Sequence, residues 1–478
     1  MNTALITASF VGALLIFLLI GVSSAWASRG TGDDYYLASR DVAPSLVGLS
    51  AVATNNSGYM FIGLMGYTYV AGLSSFWLML GWILGDLLAS LLVHRKLRKA
   101  TAAGTSSFAG VLSRWHAGGE RWHILQKLAA LISLIFLLTY ASAQLIAGSK
   151  ALHVLLDWPL WSGAVLGAVL VGIYCFSGGI RASIWTDAAQ SSVMLLAMLT
   201  LLVTGVVALG GASSAVSQMQ AIDGFMDWFP RDLALPGPVG ALLFALGWLF
   251  AGFSVVGQPH IMVRFMALDN PEHITTARWW YYLWFLLFYG LATGVGMLSR
   301  IYLADPGQFD AELALPKMAA GLLPDFWIGV VLAGIFAATM STADSLVLSC
   351  SAAITQDFSS SKIEATWVLK AATLGITGCA LLLALFGPQN VFDLVLFAWS
   401  GLASAFAPLL LVYVLGGRPT QSIAIQMMLA GLAVAMGWRA LGWQQYIYEG
   451  MPGILAGLFV FGVRRAAGQG VKEMAQIR

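Results

Sequence analysis

Residues 49–66 read LSAVATNNSGYMFIGLMG, and the centre of this apolar stretch is Thr54-Asn55-Asn56-Ser57-Gly58. A helix in lipid must satisfy every backbone polar group internally. Thr, Asn and Ser are poor helix formers, the last two compete for the backbone, and Gly loosens it, so such a run predicts a helix broken near the bilayer midplane. Irregular backbone at that depth survives only where it is buried in protein or lines a cavity. Freed carbonyls there can coordinate a small cation, and half-helix ends can face a charged solute. The same residues also suit a polar contact between helices built from small side chains. Two adjacent Asn exceed what packing needs, which favours the site.

Composition sets the class around that stretch. Hydrophobic residues make up 59% of the 478 residues and charged residues 10%, with a mean hydropathy of +0.82. A soluble chain carries about 25% charged residues, so this is an all-α polytopic membrane protein. The alternating segments of about ten residues that mark a β-barrel are absent. The net charge of +2 names no acidic partner and no nucleic acid. Cys175, Cys350 and Cys379 lie in apolar segments at no metal spacing and read as small core residues.

The apolar runs predict about thirteen spans. The first, about Ala4 to Ala27, is uncharged and too long for a signal peptide. The broken helix, about Pro44 to Val70, is the second. The third ends in the basic run His94 to Lys99, read as a cytoplasmic anchor, and contains Asp86, read mainly as a buried structural carboxylate. The stretch Gly210 to Pro236 is a connector with Trp228 and Phe229. The seventh span contains Gly257-Gln258-Pro259-His260, where the proline kinks the helix. With the N-terminus outside, only Lys150, Arg231, Arg300, Lys317 and Arg439 of the 24 basic residues fall outside. That asymmetry fits an odd span count and a cytoplasmic C-terminus.

Spans two to six and seven to eleven each begin with a broken helix and enter from opposite sides. This predicts an inverted five-helix repeat, with the solute held where the two breaks meet. The expected division is residues 1–43 for the first span and its loop, 44–210 for the first repeat, 211–415 for the connector and second repeat, and 416–478 for two peripheral spans and a tail.

The ninth span adds a second polar cluster. Ser341, Asp344 and Ser345 share one helical face. Ser341 lies roughly 22 Å below the outer end at 1.5 Å per residue, in the inner half of the membrane. Asp187 enters from the same side. Hydroxyls, carbonyls and a carboxylate are hard ligands for a hard cation. Ser341 and Thr342 alone read equally as an interhelical contact with Asp344 at the rim; Asp187 and the broken helix tip the reading to a cation site.

Six motifs together resemble the sodium:solute symporter family, closest to its sodium/proline branch. They are YYLASRDVAP at Tyr35, SAVATNNSGYMFIG at Ser50, LTYASAQLIAG at Leu138, SGGIRASIWTDAAQ at Ser177, GQPHIMVRFMA at Gly257 and MSTADSLVLSCSAAITQDF at Met340. The resemblance implies the LeuT-type inverted five-helix repeat, thirteen spans and an outside N-terminus in the inner (plasma) membrane. It implies a sodium site formed by the carbonyls of Ala53, Asn56 and Ala338 and the hydroxyls of Ser341 and Thr342, with Asp187 on the ion's path. It places the solute among Asn55, Ser57, Gly58, Tyr140, Ala251, Val255, Gln258 and Pro259.

Two departures qualify what the resemblance implies. The proline branch has an Asp, tied to sodium use, where this chain has Asn55, which leaves Na⁺ and H⁺ both open as the coupling ion. That branch also has Trp and Tyr where this chain has Ala251 and Val255, so a wider pocket is expected, suited to a bulkier amino acid or another small carboxylate. Asn55 is expected to contact the solute more than the ion, because an amide donates where a carboxylate only accepts. The expected function is cation-coupled uptake of a small amino-acid-like solute, with no enzymatic activity, no cofactor beyond the coupling ion, and lipid as the surrounding partner. The alternatives are proton coupling and a ligand-sensing receptor of the same fold. Oligomeric state is not readable.

Overall fold

The computed structural model describes residues 2–101, 105–115, 122–303, 305–359 and 363–468. The tail 469–478 assigned to the last unit lies outside them. The regular structure of the described residues is helical, joined by turns and loops, with one isolated bridge between Val42 and Leu268. Among the described residues, eleven segments are long and apolar enough to cross a membrane. One of these, Ser57–Thr101, is 45 residues long, about twice what a single crossing needs, and it turns at Gly72, whose φ is +60°. A Cβ at Gly72 would stand 2.1 Å from the Phe225 carbonyl oxygen, so only glycine fits that turn. Of the thirteen expected spans, the second is broken into shorter helices and the last, Gly450–Ala466, has 17 residues.

In chain order the helices are α1 (Thr3–Ser23), α2 (Gly32–Leu37), α3 (Pro44–Asn55), α4 (Ser57–Phe61), α5 (Gly63–Ala71), α6 (Ser75–Ala89), α7 (Arg95–Thr101), α8 (Phe108–Arg114), α9 (His123–Leu156), α10 (Leu160–Gly178) and α11 (Ile180–Ala208). There follow α12 (Ala212–Gln220), α13 (Gly237–Phe253), α14 (Pro259–Met266), α15 (Ile274–Tyr302), α16 (Ala314–Leu322), α17 (Asp325–Ala352), α18 (Thr366–Phe386), α19 (Val391–Val414), α20 (Gln421–Ala440) and α21 (Gly450–Ala466). The second span breaks at Asn56 (φ −89°, ψ 12°) and again at Ile62 (φ −114°, ψ −66°), a second break the sequence did not announce. The seventh loosens into a 3₁₀ turn at Ser254–Gly257 and resumes at Pro259, where a missing N–H costs nothing at a helix start.

The central helices are the least lipid-exposed. α17 packs against α9, α11, α1 and α4, while α3 packs against α15, α11 and α14. Polarity is distributed opposite to that of a soluble protein. Phe386 and Trp279 are 82% and 74% exposed on the outside, whereas Asp86, Asp187 and Arg264 are 0% exposed. Large exposed apolar side chains in this number mark a surface that meets lipid or another protein rather than water.

Two segments read as loop or anchor do more than connect. The loop after α1 folds into α2, and Asp34 there accepts from Arg181 at 2.7 Å, from Ser39 and from the Arg29 N–H. Burial alone would push this carboxyl up, but these donors hold it below its ordinary 3.8. In the basic run, Arg98 donates to the Leu268 carbonyl at 2.6 Å and His94 stacks on Phe265 with ring centres 3.7 Å apart. Part of the supposed anchor is therefore a buried tie to the end of α14. The connector also packs down: Trp77 donates to the Trp228 carbonyl at 2.9 Å and stacks on Phe229.

Candidate ion and solute site

The break in the second span frees carbonyls that α17 collects. Ser341 Oγ lies 3.3 Å from the Ala53 carbonyl oxygen and 3.1 Å from that of Ala338. Thr342 donates to the Thr54 carbonyl at 2.8 Å, and the Thr54 hydroxyl donates to the Ser341 carbonyl at 3.3 Å. Ala53, Ala338 and Ser341 thus converge on one spot. Thr342 is a neighbour of that spot, with its hydroxyl turned to Thr54. The Asn56 side chain bonds back to the Val52 carbonyl at 2.8 Å. The converging atoms are all neutral oxygens, a set suited to a hard monovalent cation. Among the described residues no group of three or more His, Cys, Asp or Glu could hold a metal ion.

One layer below sits a cluster that sequence reading assembled only in part. Asp187 accepts from Ser50 at 2.6 Å and lies 3.4 Å from the Thr54 hydroxyl, adjacent to the oxygen cluster. Arg264, wholly buried, reaches Asp187 at 3.3 Å and stands 3.9 Å from Asp344. It also donates to Ser50 at 3.2 Å, to Ser183, to Ser345 and to the His260 carbonyl. One guanidinium therefore ties α14 to α3, α11 and α17. Asp344 is 1% exposed and enclosed by protein. Two carboxylates facing one guanidinium leave the cluster one positive charge short of neutral when both are ionised. That deficit favours a cation in the adjoining oxygen site.

The residues assigned to the solute form a second layer. Tyr140 donates to Ser57 at 3.1 Å, and the Gly58 N–H donates to Gln144 at 2.8 Å. A Cβ on Gly58 would meet the Thr339 methyl at 2.5 Å, so the break has to pass that point as glycine. Gln258 donates to the Trp399 carbonyl at 2.9 Å. Pro259 and Val255 are buried beside it. Trp399 of α19 donates its indole N–H to the Ala251 carbonyl at 2.8 Å and packs edge-on to Tyr140 and His260. The space expected to open at Ala251 is thus bordered by an indole from another helix. A lone Trp in an apolar span carries no sequence signal for this. Asn55 donates to Asp86 at 2.9 Å and to Tyr281, and its Oδ1 has no partner.

Cavities of unequal size open into the bundle. Where the connector packs on the end of α5, a cleft of about 510 Å³ is lined by Tyr67, Asp223, Arg231, Arg300 and Tyr446. Next to it a pocket of about 210 Å³ holds Trp248, Phe392, Arg439 and Glu449. Beside α8 and α14, a cavity of about 30 Å³, room for about one or two waters, reaches Arg264 and Ser345.

Broken helices meeting at an oxygen cluster in mid-bundle define a multi-pass secondary transporter of the LeuT type. The fold matches a substrate-bound, outward-open Na⁺-coupled sialic acid symporter, with a TM-score of 0.80 at 18% identity, over 99% of both chains. The sodium:solute symporter family matches residues 35–431, and the chain belongs to it. Among curated relatives, the sodium/proline symporter of Salmonella typhimurium is 31% identical over 92% of this chain and 88% of its own. The high-affinity proline transporter of Bacillus subtilis is 28% identical over 95% and 98%. The chain is a sodium-coupled solute transporter of the plasma membrane and not an enzyme.

Proposed function

We propose that the chain takes up a small amino-acid-like solute, driven by Na⁺ that binds at the carbonyls of Ala53, Asn56 and Ala338 and the hydroxyls of Ser341 and Thr342. The observation that carries this reading is the convergence of the Ser341 hydroxyl on the Ala53 and Ala338 carbonyls. The Ser341 hydroxyl has one proton to share between the two carbonyls, whereas a cation offers all three oxygens a partner at once. It therefore tightens the junction of α3 with α17, and only a ligand that binds one state better than another shifts the equilibrium.

The solute is bound by Ser57, Gly58, Tyr140, Gln258 and Pro259, beneath Ala251 and Val255. Asn55 borders the solute at the break, its amide N–H groups held by Asp86 and Tyr281. Asp187 guides the ion towards the cluster and on to the opposite face. Residues 44–210 and 211–415 rock as two inverted repeats about this junction. With the N-terminus and the connector outside and the C-terminus cytoplasmic, the 510 Å³ cleft is the outer vestibule.

The test is uptake of a panel of radiolabelled amino acids into proteoliposomes under imposed gradients. Accumulation driven by Na⁺ supports the reading. Accumulation driven equally by a pH gradient without Na⁺ contradicts it.

A further inference from the structure

Asp86 differs from the buried carboxylates that face an arginine. Asp187 and Asp344 share Arg264, and Asp34 faces Arg181. Asp86 is 0% exposed and receives only neutral donors: Asn55 at 2.9 Å and Tyr281 at 2.8 Å on Oδ2, and Tyr282 at 2.5 Å on Oδ1. Among the described residues it makes no pair with a lysine, arginine or histidine. Neutral hydrogen bonds soften the cost of a buried charge without cancelling it.

The surroundings supply no hidden counter-charge. Arg278, on the same helix as the two tyrosines, is spent on the hydroxyl and carbonyl of Ser90 at 2.9 and 3.1 Å. His94 lies beyond it, stacked on Phe265. Helix α3 has no ionisable side chain, and neither does α13, which packs on the other side of α6. Two further oxygens nearby lack partners: Oδ1 of Asn55, on the amide that already bonds Asp86, and the hydroxyl of Tyr289. Asn55 is only 5% exposed. A carboxylate offers about four acceptor positions, and three are taken.

We propose that Asp86 is a cation-binding group in its own right: a second site, between α3, α6 and α15, loaded by a monovalent cation, H⁺ or Na⁺, with Asn55 Oδ1 as its neutral neighbour. Asn55 ends α3 at the break, so occupancy of Asp86 is read directly by the backbone that also frees the Ala53 carbonyl. The proposal goes beyond Na⁺ coupling at Ser341, and the two fail separately.

The experiment counts cations on the purified full-length protein. Equilibrium dialysis with ²²Na⁺ gives Na⁺ bound per chain, and a pH-indicator titration gives protons bound and exchanged. Asp86→Asn, nearly the same shape without the charge, is expected to lose one cation per chain: one Na⁺ if the site takes sodium, one proton if it takes H⁺. Tyr282→Phe keeps the carboxylate and is expected to keep the count while shifting its midpoint severalfold. Unchanged Na⁺ and proton counts in Asp86→Asn overturn the proposal. If that variant does not fold, an unshifted midpoint in Tyr282→Phe overturns it instead. A wild-type protein that binds no Na⁺ contradicts the proposed coupling, and the proton count still decides Asp86.

Discussion

Ser341 Oγ stands 3.3 Å from the carbonyl oxygen of Ala53, across 288 residues of sequence. Each partner is what the other lacks: a carbonyl freed by a helix break and a hydroxyl carried on an intact helix. Hydrogen bonds or ligation to a charged group are worth about 1.5–3 kcal/mol, or roughly ten- to a hundredfold in an equilibrium. Ser341→Ala with Thr342→Ala is therefore expected to raise the Na⁺ concentration for half-maximal uptake by at least tenfold in a folded protein. Unchanged Na⁺ dependence removes these hydroxyls from the ion site.

Arg264 offers a sharper stability test. Removing one partner of a buried charge cluster costs about 3–5 kcal/mol, because the remaining charges stay buried. Arg264→Gln strands Asp187 and Asp344 and is expected to lower the melting temperature in detergent strongly. Adding Asp344→Asn to Arg264→Gln should recover part of the loss. Equal melting of the single and double variants would show that the two side chains are not coupled.

The wall at Ala251 is testable by filling it. Trp399 already borders Ala251, so Val255→Tyr adds bulk to a packed layer, at a cost of about 1–3 kcal/mol. Solute affinity is expected to weaken by one or two decades and selectivity to move towards smaller solutes. Identical affinity would mean that Val255 does not face the solute.

Asp34 predicts a pH dependence. Arg181, the Arg29 N–H and Ser39 outweigh burial and hold its carboxyl below 3.8. A depressed folded value contributes stability that is present above the unfolded value and lost as pH falls through the folded one. Wild-type protein is thus expected to lose more stability than Asp34→Asn as pH drops below about 4. Parallel pH profiles of melting temperature would contradict this.

Much of this was legible in the sequence, for identifiable reasons. The break at Asn56 shows because four polar side chains and a glycine interrupt an apolar run, and lipid forbids that without a purpose. The kink at Pro259 shows because proline lacks an N–H. The partners of buried charges do not show. Arg264 sits in a quoted motif, but nothing local says that it joins four helices. Asp86 and Asn55 are 31 residues apart on different helices, and only packing brings them into contact. Trp399 reads as one more apolar residue until its indole meets the Ala251 carbonyl.

The most direct test of sodium coupling is solute accumulation in proteoliposomes under an inward Na⁺ gradient, compared between wild type and the Ser341→Ala, Thr342→Ala double variant. The expected result is accumulation above equilibrium in the wild type, collapse on adding a Na⁺ ionophore, and loss in the variant at the same Na⁺ concentration. Accumulation that survives the ionophore, or that the double variant retains in full, would contradict it.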